Sequence, residues 1–214
     1  MLFNLSPLTR PYQKLLSRLD ENNRRLRRLE DILKADRGDR SPDREHREPL
    51  PWYTYAATAF LAKRVGQGLS VFEYGSGNST RWWARRVSRV VACEHDAGWA
   101  QRLSADLPAN VELMVHELKP DGAYCRAILQ TTGAFEVVVI DGRDRNNCAI
   151  HTVERLADNG VIIWDNSDRQ HYQPGFDFLA ERGFRAIEFA GFGPASYVPW
   201  QTSIFYKDKN CLGI

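Results

Sequence analysis

From residue 52 onward, short runs of β-branched and aromatic residues alternate with stretches of helical period. The runs are Ser70–Tyr74, Arg89–Glu94, Val111–His116, Glu136–Ile140 and Gly160–Trp164. Between them lie Thr80–Val87, Ala97–Leu107, Tyr124–Thr131 and Cys148–Leu156, which read as helices. Val137–Ile140 is apolar at every position, as in a parallel strand covered by helices on both faces. A last helix is predicted near Phe176–Arg182, followed by two more strand-like runs, Arg185–Phe189 and Thr202–Lys207. Only a Gly/Pro-rich loop, GFGPASYVPW, is expected to separate those two, so without a crossover helix they should pair antiparallel. The pattern predicts an α/β fold: a doubly wound, Rossmann-like, mostly parallel sheet of about seven strands ending in an antiparallel hairpin.

The first 48 residues follow a different period. Tyr12, Leu19, Leu26 and Leu33 recur every seven, with Leu15, Asn22 and Leu29 at the alternating three/four offsets. Such an a/d seam fits either a short coiled coil that pairs two copies of the chain, or an amphipathic helix lying on its own domain. The basic run Arg24–Arg28 is interleaved with Glu21, Glu30 and Asp31 and reads as a solvated face. A charged, Pro-containing stretch without aromatics, Arg37–Pro51, reads as a linker. The boundary is placed near 48, with 1–48 as helix and linker and 49–214 as the globular domain.

Composition narrows the class. At 214 residues, 43% hydrophobic and 26% charged, the chain is of ordinary globular type. Its longest uncharged apolar stretch, Trp52–Ala62, is too short to span a bilayer. The first residues lack the order of a signal peptide, so a cytoplasmic protein is expected. Cys93, Cys125, Cys148 and Cys211 are far apart in sequence and read as reduced core thiols rather than zinc ligands. Residues 1–48 carry twelve Lys/Arg against nine Asp/Glu, whereas 49–214 carry seventeen against eighteen. A globular part near neutrality argues against nucleic acid as partner.

The strongest motif is VFEYGSGNST, Val71–Thr80. Gly75 and Gly77 fall in the tight turn between a strand and a helix, where missing side chains let the backbone approach a ligand. Ser79 or Thr80 can cap that helix. The next strand closes on Glu94, placed to accept hydrogen bonds from ribose hydroxyls. The dinucleotide pattern G-x-G-x-x-G asks for glycine where this chain has Thr80.

With acid-x-Gly-x-Gly at Glu73, Gly75 and Gly77, and a terminal hairpin, the span Trp52–Lys207 resembles the class I S-adenosylmethionine-dependent methyltransferases. The resemblance implies S-adenosyl-L-methionine as cofactor. It would be held by Glu73, Tyr74, Gly75, Ser76, Gly77, Asn78, Ser79, Glu94, His95 and Asp141, with Glu94 on the ribose.

Two strand ends add chemistry: VVVIDGRDR with Asp141, and VIIWDNSDR with Asp165-Asn166. Three oxygen donors converging at strand ends would suit Mg²⁺ or another hard divalent cation. The pair of motifs resembles the metal-dependent O-methyltransferases of the catechol and caffeoyl-CoA type. That resemblance implies a metal on Asp141, Asp165 and Asn166 that prepares a substrate hydroxyl. The lysine those enzymes place three residues after the first aspartate is Asp144 here, so His171 and Asp168 are the candidate proton acceptors. Arg143, Arg145 and Arg169 crowd the same region; they fit either an anionic acceptor or pairing with Asp144 and Asp168. Trp52, Tyr53 and Tyr55 fit a cover over the site or core packing, and Phe192–Trp200 is placed at its border. The reading is methyl transfer to a hydroxyl of a small metabolite or sugar. The alternative is a protein that keeps the fold, and the cofactor, without transferring methyl.

Overall fold

The structure, a computed structural model, describes residues 49–214. The heptad segment and linker of 1–48 lie outside the described residues. The elements run α1 (Tyr55–Ala62), β1 (Ser70–Tyr74), α2 (Asn78–Ala84), β2 (Arg89–Glu94), α3 (Ala97–Ser104) and β3 (Val111–Val115). There follow β4 (Phe135–Ile140), α4 (Arg145–Thr152), β5 (Leu156–Asp165), α5 (Gln173–Glu181), β6 (Arg185–Gly193) and β7 (Ser196–Tyr206). They form one seven-stranded sheet in the order β3-β2-β1-β4-β5-β7-β6. Strands β1 to β5 pair parallel; β7 pairs antiparallel with both β5 and β6. The doubly wound sheet with its terminal hairpin is as the sequence pattern predicts.

Period-two alternation divides the strands between two cores. Phe72, Val138, Ile140, Ile162 and Trp164 pack on one face. Val71, Val137, Val139, Val161 and Ile163 pack on the other, against Tyr53, Trp82 and Trp83. Both tryptophans of α2, Trp82 and Trp83, are buried, and they meet edge to face at 4.8 Å. Local chemistry sets the helix starts. The Thr54 hydroxyl accepts the Ala57 N–H at 3.4 Å to cap α1, and Asp96 accepts the Trp99 N–H at 2.9 Å to cap α3.

Two expectations are corrected. Tyr124–Thr131 is not an α-helix; it holds only a single 3₁₀ turn, Ala127–Gln130. The Tyr74 hydroxyl donates to the Cys125 carbonyl at 2.7 Å, taking that oxygen away from any helical ladder. The segment GFGPASYVPW is not a loop, because strand pairing continues through Gly191↔Trp200 and Gly193↔Ser196. The irregularity falls between Gly191 and Gly193, where Gly191 adopts φ +154°.

The chain reverses its winding between β1 and β4. Open α/β sheets form their crevice at that switch point, outside the carboxyl ends of the strands. The candidate site opens there.

Candidate functional site

A cavity of about 680 Å³ lies over the carboxyl ends of β1, β2, β4 and β5. Its wall brings together Glu73, Gly75, Ser76, Gly77, Asn78, Ser79, Glu94, His95, Asp141, Asp165, Asn166 and Asp168. Those positions are scattered over nearly a hundred residues of sequence; the parallel sheet aligns their strand ends.

The glycine turn is built for close approach. Gly75 adopts φ +99° and donates its N–H to the Cys93 carbonyl at 2.8 Å, and a Cβ there would press on the backbone of Gly142. Thr80 explains why no third glycine is present. Its hydroxyl accepts the Gly77 N–H at 2.9 Å and donates to Glu73 Oε2 at 2.5 Å, tying the turn to the strand before it. The Glu73 carboxylate is 1% exposed, and its other oxygen, Oε1, is buried with no partner. Burial raises its pKa from 4.5 to about 7; the Ser79 and Thr80 hydroxyls oppose that rise, and the charge of Glu94 adds to it. An unpaired buried carboxyl oxygen at a cavity wall is an acceptor waiting for a donor.

Glu94 is held by the backbone it terminates. Oε1 accepts the N–H groups of His95 and Asp96 at 2.7 and 3.0 Å, and Oε2 accepts the Ser76 hydroxyl at 2.8 Å. Beside it Trp99, a residue the sequence did not single out, lines the cavity and donates its indole N–H to the Ser76 carbonyl at 3.0 Å. Its signal was an aromatic in the first turn of the helix that follows the acid. With Trp52 and Trp200 it gives the cavity flat apolar surfaces. Of the aromatics before β1, Trp52 lies on the wall while Tyr53 is fully buried, its hydroxyl accepting the Trp83 indole N–H at 3.1 Å.

At the other end stand the strand-end acids. Asp165 Oδ1 accepts the Thr202 hydroxyl at 2.6 Å and the Trp200 indole N–H at 2.9 Å. The hairpin thus grips the tip of β5. Burial pushes the Asp165 carboxyl up, against these bonds and Arg145; burial and then the neighbouring Asp165 charge push Asp141 up, against Arg145.

The residues expected to hold a metal are occupied otherwise. Arg145 opens α4 with its side chain 6% exposed. Its Nη2 donates to Asp141 Oδ1 at 3.1 Å, to the Asp141 carbonyl at 2.9 Å and to Asn166 Oδ1 at 3.4 Å. Its Nη1 donates to the Asp165 carbonyl, and its Nε to the Gly142 carbonyl at 2.9 Å. Asp141 and Asn166 do converge, but on a guanidinium, while Asp165 meets it only through its backbone carbonyl. With Asp141 and Asn166 held by a buried cation and Asp165 Oδ1 held by Thr202 and Trp200, this donor set does not fit a divalent ion.

Three further assignments change. Tyr74 points into the core on the face opposite Glu73, so its side chain does not reach the cavity. His171 is exposed on a 3₁₀ turn, packed against the Tyr172 ring at 4.1 Å and off the cavity wall. Tyr172 is drawn into the core against Trp164, which fixes the turn in that orientation. Asp144 accepts the Asp121 N–H at 2.9 Å and the Asn147 side-chain amide at 2.8 Å, and so anchors a loop. Asp168 lies on the wall, accepting the Gln201 N–H at 3.2 Å. With Asp144 and Asp168 so engaged, Arg143 and Arg169 line the cavity outside any ion pair among the described residues.

The four cysteines are free. Burial raises Cys93 and Cys125 to about 12 and Cys211 to about 11, as inert core thiols require. Asp121, Cys125 and His151 do cluster away from the cavity, within 4.8 Å, although the sequence suggested no such grouping. Asp121 is already paired there with Arg126 at 2.5 Å and with His151 at 2.7 Å, so the cluster reads as structural. No helix among the described residues is long and apolar enough to cross a membrane.

No protein-family model and no curated protein matches the sequence. Solved structures do. The O-methyltransferase TomG of Streptomyces achromogenes, involved in tomaymycin synthesis and solved with S-adenosylmethionine, superposes with TM-score 0.56 at 21% identity, over 83% of this chain and 88% of its own. A methyltransferase-like protein of Silicibacter pomeroyi gives 0.53 at 22%, over 75% and 89%. An rRNA methylase of Streptococcus thermophilus gives 0.52 at 14%, over 71% and 95%. Proteins with such different printed activities superpose on this chain; what is common to them and to this chain is the class I methyltransferase fold.

Proposed function

We propose that this class I methyltransferase fold binds S-adenosyl-L-methionine and transfers its methyl group to a hydroxyl of a small metabolite or sugar. One observation carries the reading. A single cavity joins the Gly75–Gly77 turn, Glu73 and Glu94 at one end to Asp165, Asp168, Arg143 and Arg169 at the other, with volume for a cofactor and a small acceptor together.

The chain's groups fit the cofactor. The unpartnered Oε1 of Glu73 suits the ammonium of its methionine part, Glu94 Oε2 suits a ribose hydroxyl, and the Trp99 face suits the adenine. Bound there, the cofactor supplies a methyl group activated on a sulfonium. The protein orients the acceptor against it and shields the site from water through Trp52 and the β6–β7 hairpin. Arg143 and Arg169, outside any ion pair among the described residues, suit a carboxylate or phosphate on that acceptor. Asp168 is the wall carboxylate proposed to take the acceptor's proton.

Calorimetry with S-adenosylmethionine tests the cofactor. Micromolar binding is expected, and Glu94→Ala should weaken it at least about tenfold, the loss of one charge-assisted hydrogen bond. No binding by the native chain refutes the reading. Release of S-adenosylhomocysteine with a pool of hydroxylated acceptors separates a methyltransferase from a protein that only binds the cofactor.

A further inference from the structure

We propose that Arg145 is the resident cation of this site, so that the cavity works without a metal where the enzymes its strand-end motifs resemble use one. The Asp141, Asp165 and Asn166 positions are those expected to hold a divalent ion; the Arg145 side chain meets the Asp141 carboxylate and the Asn166 side-chain oxygen, and it meets Asp165 at the backbone carbonyl. Neighbouring carboxylates repel unless a cation lies near them, and the guanidinium supplies one, paired with partly buried Asp141 at 3.1 Å beside buried Asp165.

This is not a side chain that swings aside for a metal. Three of its bonds go to the backbone carbonyls of Asp141, Gly142 and Asp165, which cannot move without moving the ends of β4 and β5. The guanidinium carbon also lies 5.3 Å from the centre of the Tyr172 ring. A planar fork matches oxygen acceptors spread in one plane, a geometry an ammonium cannot copy. The functional consequence follows from the donors. With Nε and Nη2 committed, the group has little left to polarise an acceptor hydroxyl, whereas a metal keeps an open position for one. Arg145 is therefore a positioning residue: it orients and pairs with Asp141, ties the end of β5 through the Asp165 carbonyl and lines the cavity. The consequence for turnover rests on the methyl-transfer reading; the arrangement itself is tested without turnover.

The test is titration of Mn²⁺ into the full chain, followed by electron paramagnetic resonance. The native chain should leave the free-ion signal unchanged. Arg145→Ala opens the oxygen set and should bind Mn²⁺ at least about tenfold more tightly than the native chain. Adding Asp165→Asn should remove that gain. Arg145→Lys keeps a charge in place and should show no gain. Mn²⁺ bound by the native chain, and lost on Asp141→Asn or Asp165→Asn, overturns the proposal. So does a folded Arg145→Ala protein, checked by circular dichroism, that gains no affinity. If Arg145→Ala does not fold, the native titration with the two Asn variants decides. Cofactor affinity is read separately by calorimetry, so failure of the cofactor reading and failure of this proposal give different results.

Discussion

Replacing Glu73 with Gln separates what this carboxylate costs the fold from what it does for a ligand. Burial at 1% exposure raises its pKa from 4.5 to about 7. Between those values the folded chain keeps a proton that the unfolded chain has released, so stability falls as pH rises through that window. The penalty is absent well below 4.5 and complete above about 7. At about 1.4 kcal/mol per unit it amounts to about 3 kcal/mol. Gln keeps an oxygen for the Thr80 hydroxyl but buries an amide N–H₂ where Oε1 has no partner, a cost of about 1–3 kcal/mol that does not depend on pH. The decisive quantity is therefore the change in relative stability with pH. Urea unfolding of both proteins at about pH 4.5 and about pH 8 should show E73Q gaining about 3 kcal/mol on the native chain across that interval. Cofactor affinity should move the other way: in the native chain it rises with pH up to about 7 as Glu73 ionises, and in E73Q it is weaker and flat. A stability difference that stays constant with pH would refute the claim that Glu73 is held protonated by burial.

Gly142→Ala should lower stability by about 1–3 kcal/mol in a thermal melt, because its Cβ would overlap the hydroxyl oxygen of the buried Tyr124; a melt matching the native protein would show that the Tyr124 side chain moves aside without cost. Arg143→Gln with Arg169→Gln should raise KM for a carboxylate- or phosphate-bearing acceptor at least about tenfold while leaving cofactor affinity unchanged. Equal KM for charged and neutral acceptors in both proteins would remove these arginines from acceptor binding.

The sequence by itself determined the sheet, the glycine turn and which strand ends carry acids. All three are local: buried parallel strands must be apolar throughout, a strand-to-helix turn needs glycine, and each acid closes its own run. The tertiary structure alone decided what those acids hold. From the sequence, Asp141 and Asp165-Asn166 present oxygen donors that suit a divalent cation. Only the placement of α4 at the end of β4 carries the Arg145 guanidinium to Asp141, Asn166 and the Asp165 carbonyl. The same holds for Tyr74, which shares a motif with Glu73 yet faces the opposite core because successive strand residues alternate sides. It holds also for the segment 191–200 within the hairpin, read as a loop from its glycines and prolines. There Trp200 and Thr202 reach Asp165 across a strand pairing that no local pattern announces, since charge partners and register are set by long-range contacts and not by neighbours in sequence.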